Sequence, residues 1–282
     1  MAYSWRTFFT AKAVALNFER CLRACFEISL MYMKKDFLNF QVDHMTLLLQ
    51  PELYKVAYLM FNVIFGVSPE DLLYEKRKRW QEDAGEESMT FAVRIGKGVH
   101  PDPDLNNTII AVVQPSEPES QASHVRQMLD GHESAALWQH VALRTPDLTA
   151  FHQHAVERGV QFITPILKDD EDNLIQVFSG EWYFPGMKSS GMFFEFVERN
   201  PSEESLKEIQ AKNQETWFRD KTFLGLYGEK QREYDSGEVT PFISFELFDR
   251  LYQEFRDKQI WEITDADFKR AEEIMLEHTA NK

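Results

Sequence analysis

Cysteine is nearly absent from this 282-residue chain. Its two cysteines, Cys21 and Cys25, lie four residues apart in a segment with helical periodicity, which predicts two small buried side chains on one helix face. They supply neither a disulfide framework nor a cysteine-rich zinc site. A reducing, cytoplasmic environment is therefore expected.

Basic residues are also few, 31 against 46 acidic residues, and the formal net charge is −15. Nucleic-acid backbones and anionic lipid surfaces attract clustered Lys and Arg. The one basic cluster, residues 76–79, is followed at once by Glu82 and Asp83, which favours a solvated face. Neither nucleic acid nor a membrane is expected as a partner.

Long apolar runs are missing as well. Five charged residues interrupt the stretch from Ala11 to Met33, so neither a signal peptide nor a membrane span is predicted. Apolar residues recur at spacings of three and four over residues 4–38, and this periodicity predicts an N-terminal helical segment at 1–39.

From residue 40 the chain repeats one order of elements: a strand, a helix and three more strands. The first unit, 40–115, has its helix from Pro51 to Gly66, and the second unit, 135–200, has its helix from Asp147 to Arg158. The other strands are predicted near 71–80, 89–95, 108–113, 173–178 and 191–198, with short extended pieces near 160–166. Two βαβββ modules in tandem predict an α+β fold whose strands form a half-open barrel. Residues 201–282 are predicted to be a helical tail, with helices at 201–212, at 242–255 and from Thr264.

Three side chains suited to metal binding fall on predicted strands of this repeat. His44 and His140 each lie on the first strand of a module, and Glu195 lies on the last strand of the second module. Two imidazoles and one carboxylate can hold Fe(II) on one face and leave other coordination positions open. A carboxylate among apolar neighbours is also costly unless it is paired or binds a cation. Each residue alone could be structural, but together they predict a metal site.

The residues before the two histidines are Asp43 and Gln139. Strict alternation along a strand would send these side chains to the face opposite the histidines. Neither is therefore assigned as the hydrogen-bond partner of its histidine.

Four segments resemble the catalytic domain of the 4-hydroxyphenylpyruvate dioxygenase family, in the vicinal oxygen chelate superfamily. They are Val-Asp-His at 42–44, Trp-Gln-His-Val-Ala-Leu-Arg-Thr at 138–145, Leu-Ile-Gln-Val-Phe at 174–178 and Phe-Phe-Glu-Phe-Val-Glu-Arg at 193–199. The resemblance covers about residues 40–230 and implies the vicinal oxygen chelate fold. It also implies Fe(II) as the cofactor, with His44, His140 and Glu195 as its ligands.

The same resemblance implies a substrate shell. Gln139 and Gln176 match glutamines that line the family's pocket and are assigned catalytic roles, while Phe178 matches one wall of an aromatic slot for the substrate. Phe218 and Phe223 stand where the family closes that slot, although a purely structural helical core explains them equally well. Ser116 and His124 are assigned to the substrate shell at two departures, since the family has asparagine and glutamine there.

The activity that the resemblance implies is Fe(II)-dependent dioxygenation of an aryl 2-oxo acid. With 4-hydroxyphenylpyruvate and dioxygen the product would be homogentisate, formed by oxidative decarboxylation and ring hydroxylation. The alternatives are a related dioxygenase of another aryl keto acid, one that forms a hydroxymandelate, or a non-catalytic protein that binds an aromatic ligand on the same scaffold. A homo-oligomer is compatible with the sequence, which does not fix the oligomeric state.

Overall fold

The computed structural model describes residues 35–77, 88–96, 108–118, 122–169, 173–212 and 222–282. The chain divides into two compact units, Met1–Asn39 and Phe40–Lys282. In the first unit the described residues form a 3-10 turn at Asp36–Leu38. The helix predicted for the N-terminal segment, with Cys21 and Cys25, lies outside the described residues and stays a prediction.

The first module of the second unit follows the predicted order. Its elements are β1 (Gln41–Leu49), α1 (Pro51–Phe65), β2 (Leu72–Arg77), β3 (Ser88–Ile95) and β4 (Thr108–Val113), with a 3-10 turn at Pro69–Asp71 before β2. Helix α1 begins with Pro51, which has no N–H to satisfy in the first turn. It ends at Gly66, whose φ of 67° is favourable for a residue without a side chain.

The second module repeats this order after a linking helix, α2 (His124–Gly131). Its elements are β5 (Ala136–Arg144), α3 (Leu148–Glu157), β6 (Leu167–Asp169), β7 (Leu174–Glu181) and β8 (Phe193–Arg199). Asp147 caps α3 by accepting a hydrogen bond from the backbone N–H of Ala150. The remaining helices are α4 (Glu203–Lys212), α5 (Thr222–Ser236), α6 (Phe245–Phe255) and α7 (Asp265–Ala280), with a 3-10 turn at Ile260–Glu262 before α7.

All eight strands form one mixed sheet in the order β2-β3-β4-β1-β5-β8-β7-β6. The two modules meet where β1 and β5 pair antiparallel, while β1–β4 and β5–β8 are parallel pairs. At the junction His44 pairs with Ala142, and Thr46 pairs with His140, so an approximate two-fold axis relates the modules. The predicted α+β fold, with two βαβββ modules in a half-barrel, is confirmed.

The two module helices cover one face of the sheet. Tyr54 of α1 packs against Phe91 of β3 with ring centroids 5.0 Å apart, and Phe151 of α3 packs against Phe196 of β8 at 4.4 Å. The opposite face of the sheet is left to line a cavity. Among the described residues, no helix is long and apolar enough to cross a membrane.

The second module departs from the prediction in one strand. The extended pieces near 160–166 form only isolated bridges, at Val160 and Phe162, and the paired strand of this part of the module is β6, beyond the predicted range. Pro165 lacks the N–H that a ladder requires, which explains the interruption. Periodicity also failed to predict α2 and α5. The first is a single short stretch, and the second contains Gly225 and Gly228, which weaken a helical pattern.

Candidate metal centre

The inner face of the sheet lines a cavity of about 440 Å³, within the size range of small-molecule sites. Both modules contribute to its wall. His44, His140 and Glu195 line it together, as do Gln139, Gln176 and Phe178. The predicted ligands and three residues of the predicted substrate shell therefore face one space.

The three predicted ligands converge on a single point. The Nε2 atoms of His44 and His140 lie 3.3 and 3.2 Å from Oε2 of Glu195. One ligand atom from each residue lies within 4.8 Å of the other two, which makes this trio a candidate metal site. Adjacent ligands of an ion with bonds of about 2.1 Å are about 3.0 Å apart, so small adjustments would suffice for coordination.

The strand register explains this convergence. His44 of β1 pairs with Ala142 of β5, and Ala142 pairs with Glu195 of β8. Ala142 is fully buried and contributes only a methyl group between the two ligands, which leaves room for an ion above it. His140 lies two residues from Ala142 on β5, on the same face.

A fourth ligand is missing at the position that the pseudo-symmetry assigns to it. The two-fold axis relates Thr46 to Ala142, and their partners on the parallel strands are Ala111 and Glu195. Ala111 lines the cavity where a counterpart of Glu195 would stand. The candidate site therefore offers three protein ligands, with an alanine at the fourth position, and a metal bound there would keep coordination positions open to exogenous molecules.

The neighbours of both histidines are hydrogen-bonded to them, contrary to the expectation from strict alternation. Nδ1 of His44 lies 3.1 Å from Oδ1 of Asp43, and Nδ1 of His140 lies 3.2 Å from Oε1 of Gln139. Both neighbours occupy register shifts between β1 and β5, where one strand has an extra residue: Asp43 on β1 and Gln139 on β5. Such a bulge redirects a side chain, and so the alternation prediction was wrong at both positions.

Asp43 is itself held by Arg199. The guanidinium donates two hydrogen bonds, both 2.6 Å long, to the two carboxylate oxygens. Burial would raise the pKa of Asp43, but the hydrogen bonds from Arg199 and His44 outweigh it and hold the pKa well below its usual range. The carboxylate is therefore ionised and accepts the proton on Nδ1 of His44.

The two histidines differ in their electrostatics. Burial would lower the pKa of His44, but the carboxylates of Glu195 and Asp43 outweigh this effect and raise the pKa to about 10. His140 has a lowered pKa because it is buried and His44 lies nearby. Burial would raise the pKa of Glu195, but the two histidines lower it to about 2. A cation bound at the three ligands would take the place of the proton that His44 carries.

Of the other four predicted substrate residues, two lie away from the cavity and two lie wholly or partly outside the described residues. Ser116 and His124 do not line the cavity. His124 is buried on α2, with its ring 4.4 Å from that of Tyr227. Phe218 lies outside the described residues, and of Phe223 only its backbone in α5 is described. The substrate-binding roles of these four residues stay predictions.

Sequence reasoning missed two polar groups at the metal centre. The hydroxyl of Thr46 lies 2.9 Å from Nε2 of His140, and Arg199 supports His44 through Asp43. Strand alternation could have predicted both, because it places Thr46 on the same strand face as His44 and Arg199 on the same strand face as Glu195, four residues earlier.

No protein-family model matches the chain, and no curated protein matches it. Part of it is similar to solved structures. A triple mutant of 4-hydroxymandelate synthase from Streptomyces coelicolor aligns at 16% identity with a TM-score of 0.42, over 62% of this chain and 56% of the synthase. A methylmalonyl-CoA epimerase aligns at 20% identity with a TM-score of 0.39, over 57% of this chain and 95% of the epimerase. The epimerase from Mycobacterium tuberculosis aligns at 20% identity with a TM-score of 0.37, over 57% and 88%.

The chain thus spans about half the length of the synthase. Its own strand order, two βαβββ modules in one curled sheet, matches the vicinal oxygen chelate fold.

Proposed function

We propose that this chain is an Fe(II)-dependent dioxygenase that acts on an aryl 2-oxo acid, with 4-hydroxyphenylpyruvate as substrate and homogentisate as product. The observation that carries the proposal is the meeting of His44, His140 and Glu195 at one point of the cavity, with Ala111 in the place of a fourth ligand. Two imidazoles and one carboxylate with open positions are the ligand set of non-haem iron oxygenases.

The donor atoms fit a divalent first-row metal. Nε2 of each histidine and Oε2 of Glu195 would bind it, while the Nδ1 atoms donate to Asp43 and Gln139. These hydrogen bonds fix the tautomer and the orientation of both rings before binding. Bound Fe(II) would supply the Lewis-acid and redox chemistry that dioxygen activation requires.

The surrounding residues would orient the substrate and exclude water. Phe178 is 2% exposed, and its ring centroid lies 6.4 Å from that of His140, so it offers an apolar wall beside the metal site. Gln176 lies two residues before Phe178 on the same face of β7 and offers an amide to a ring substituent or to the keto acid. Glu195 and His140 are buried, while the His44 side chain keeps 19% of its surface accessible from the cavity side.

The test is to measure iron content after anaerobic purification, followed by oxygen uptake on a panel of aryl 2-oxo acids. The proposal predicts about one iron per chain, oxygen uptake with 4-hydroxyphenylpyruvate, and homogentisate as the product. Oxygen uptake with another keto acid would support the dioxygenase proposal but change its substrate. A hydroxymandelate product would support it but change its product. Protein that takes up no Fe(II) and consumes no oxygen would overturn the proposal and leave ligand binding alone.

A further inference from the structure

One arginine of the cavity wall has a side-chain nitrogen atom without a hydrogen-bond partner. Arg94 of β3 lines the cavity, and its Nε atom is buried without a hydrogen bond. Among the described residues, no carboxylate forms an ion pair with it. A guanidinium presents five donors, and a buried donor left unused is unfavourable for the folded state. A charged group is retained in such a position when something compensates it.

A second polar atom on the same wall is also unused. The hydroxyl oxygen of Thr90 is buried without a hydrogen-bond partner, and Thr90 is 1% exposed. Thr90 and Arg94 lie four residues apart on one strand, so both side chains face the cavity. Their strand neighbours Ile109, Ala111 and Val113 are apolar and cannot satisfy either group.

The sheet register places Arg94 close to the metal centre. Arg94 pairs with Ile109 of β4. Met45 pairs with Ile110, so by continuing this register His44 lies level with Ile109. Arg94 and His44 are thus two strands apart on one level, a path of about 10 Å along the sheet. A ring with one substituent spans a gap of that size, whereas the head group of a 2-oxo acid alone does not.

The charge of the cavity also favours an anion. The chain as a whole has many more acidic than basic residues. In the cavity the balance is reversed, with four Lys and Arg residues against three carboxylates, and a bound divalent metal would add further positive charge. The four cations are Lys76, Arg94, Arg144 and Arg199, and the three carboxylates are Asp43, Asp169 and Glu195.

We propose that Arg94, with Thr90 beside it, binds a second anionic group of the substrate, at the end remote from the metal. The preferred substrate would then be not 4-hydroxyphenylpyruvate but another aryl 2-oxo acid, one whose ring bears an acidic substituent such as a carboxylate. The place of this subsite in a reaction rests on the proposed dioxygenase function, but the binding of the anion does not.

The test compares two probes that differ only in the second anion, phenylpyruvate and 4-carboxyphenylpyruvate. Their dissociation constants are measured by calorimetry on protein loaded anaerobically with Fe(II) and on protein stripped of metal by a chelator. The wild type is expected to bind 4-carboxyphenylpyruvate at least about tenfold more tightly in both states. Arg94→Gln should abolish this preference, and Arg94→Lys should keep part of it because the charge remains.

Arg77→Gln is the matched control. Arg77 lies on the neighbouring strand β2, but it is exposed, pairs with Glu75 and does not line the cavity, so its loss should leave the preference unchanged. Equal binding of the two probes by the wild type would overturn the anion subsite, as would a preference that survives in Arg94→Gln. If the preference holds while the protein neither takes up Fe(II) nor consumes oxygen, the dioxygenase proposal fails and the subsite stands.

Discussion

The two modules, β1–β4 on the first wall around the cavity and β5–β8 on the second, differ at one position that the pseudo-two-fold axis relates. The axis that relates His44 to His140 also relates Arg94 of the first module to Glu181 of the second. Glu181 is fully buried and accepts a 2.6 Å hydrogen bond from the ammonium of Lys230 on α5, which is fully buried too. Arg94 forms no ion pair among the described residues, and its Nε atom is buried without a hydrogen-bond partner.

Helix α5 therefore completes the second wall from within the chain. Lys230 also reaches Glu233 at 2.8 Å, and the second oxygen of Glu181 accepts from the backbone N–H of Gly191. Lys230 lies over the ring of Phe193, which in turn packs against His140. A buried charge must be compensated wherever it occurs. The second module achieves this with its own residues, whereas in the proposed anion subsite a ligand would satisfy the buried Nε of Arg94.

The largest effect is expected from removing a proposed ligand of the candidate metal centre, to which both modules contribute. His140→Ala removes one of three ligands from a buried site, and retention of Fe(II) and oxygen uptake should both fall to background. Metal analysis of anaerobically loaded protein and an oxygen electrode measure the two quantities. His132→Ala is the control, because His132 lies at the end of α2 and not in the cavity wall. Full iron retention in His140→Ala would contradict the ligand assignment.

The second wall can be broken by Lys230→Met, which keeps much of the volume but leaves Glu181 buried without its cation. Removing one partner of a buried pair costs about 3–5 kcal/mol of unfolding free energy. Chemical denaturation of the wild type and the variant would measure it. Lys207→Met is the matched control, because its pair with Glu203 is exposed and contributes at most about 0.5 kcal/mol. Equal losses in the two variants would show that the buried cluster does not hold α5 in place.

Some features of both walls could be predicted from the sequence, and others could not. Hydrophobic periodicity predicted the two modules. The positions of His44, His140 and Glu195 predicted a shared site, because the alternation of side chains along a strand and the repeat of the module together limit the strand register. The bulges at Asp43 and Gln139 could not be predicted, since an extra residue in one strand is defined only by its partner strand. The pairing of Lys230 with Glu181 joins residues 49 apart through an unpredicted helix, and no local pattern encodes it.

The hydrogen-bond partners of the two histidines differ in charge: Asp43 is ionised and Gln139 is neutral. Replacing them should therefore lower the affinity for the metal by different amounts. Asp43→Asn leaves a neutral acceptor for Nδ1 of His44 and removes the charge that Arg199 binds, and the affinity for the metal should fall about 10–100-fold. Gln139→Leu removes a neutral acceptor from His140 and should cost less. Competition titrations against a chelator of known affinity would rank the two. A larger loss of metal affinity in Gln139→Leu than in Asp43→Asn would contradict this prediction.

The smallest effect is a pH dependence of stability beside the second wall. His124 is buried near Lys230, and burial, followed by the charge of Lys230, lowers its pKa to about 3. In the unfolded chain its pKa is about 6.5, so the unfolded state binds the proton first. The stability associated with a neutral His124 is present above pH 6.5 and is lost as the pH falls toward 3. Between pH 7.5 and 5.5 the wild type should lose about 1.4 kcal/mol more than His124→Phe, as measured by urea unfolding at both pH values.

His124→Phe is a suitable variant because Nδ1 of His124 has no hydrogen-bond partner to lose, and the ring packs against Tyr227. All other titrating groups are common to the two proteins, and their contributions cancel in the difference. If the two proteins lose stability equally, His124 binds a proton in the folded state, and an acceptor must then face its ring in the seam between α2 and α5. That outcome would show that burial and the charge of Lys230 do not keep His124 neutral in the folded protein.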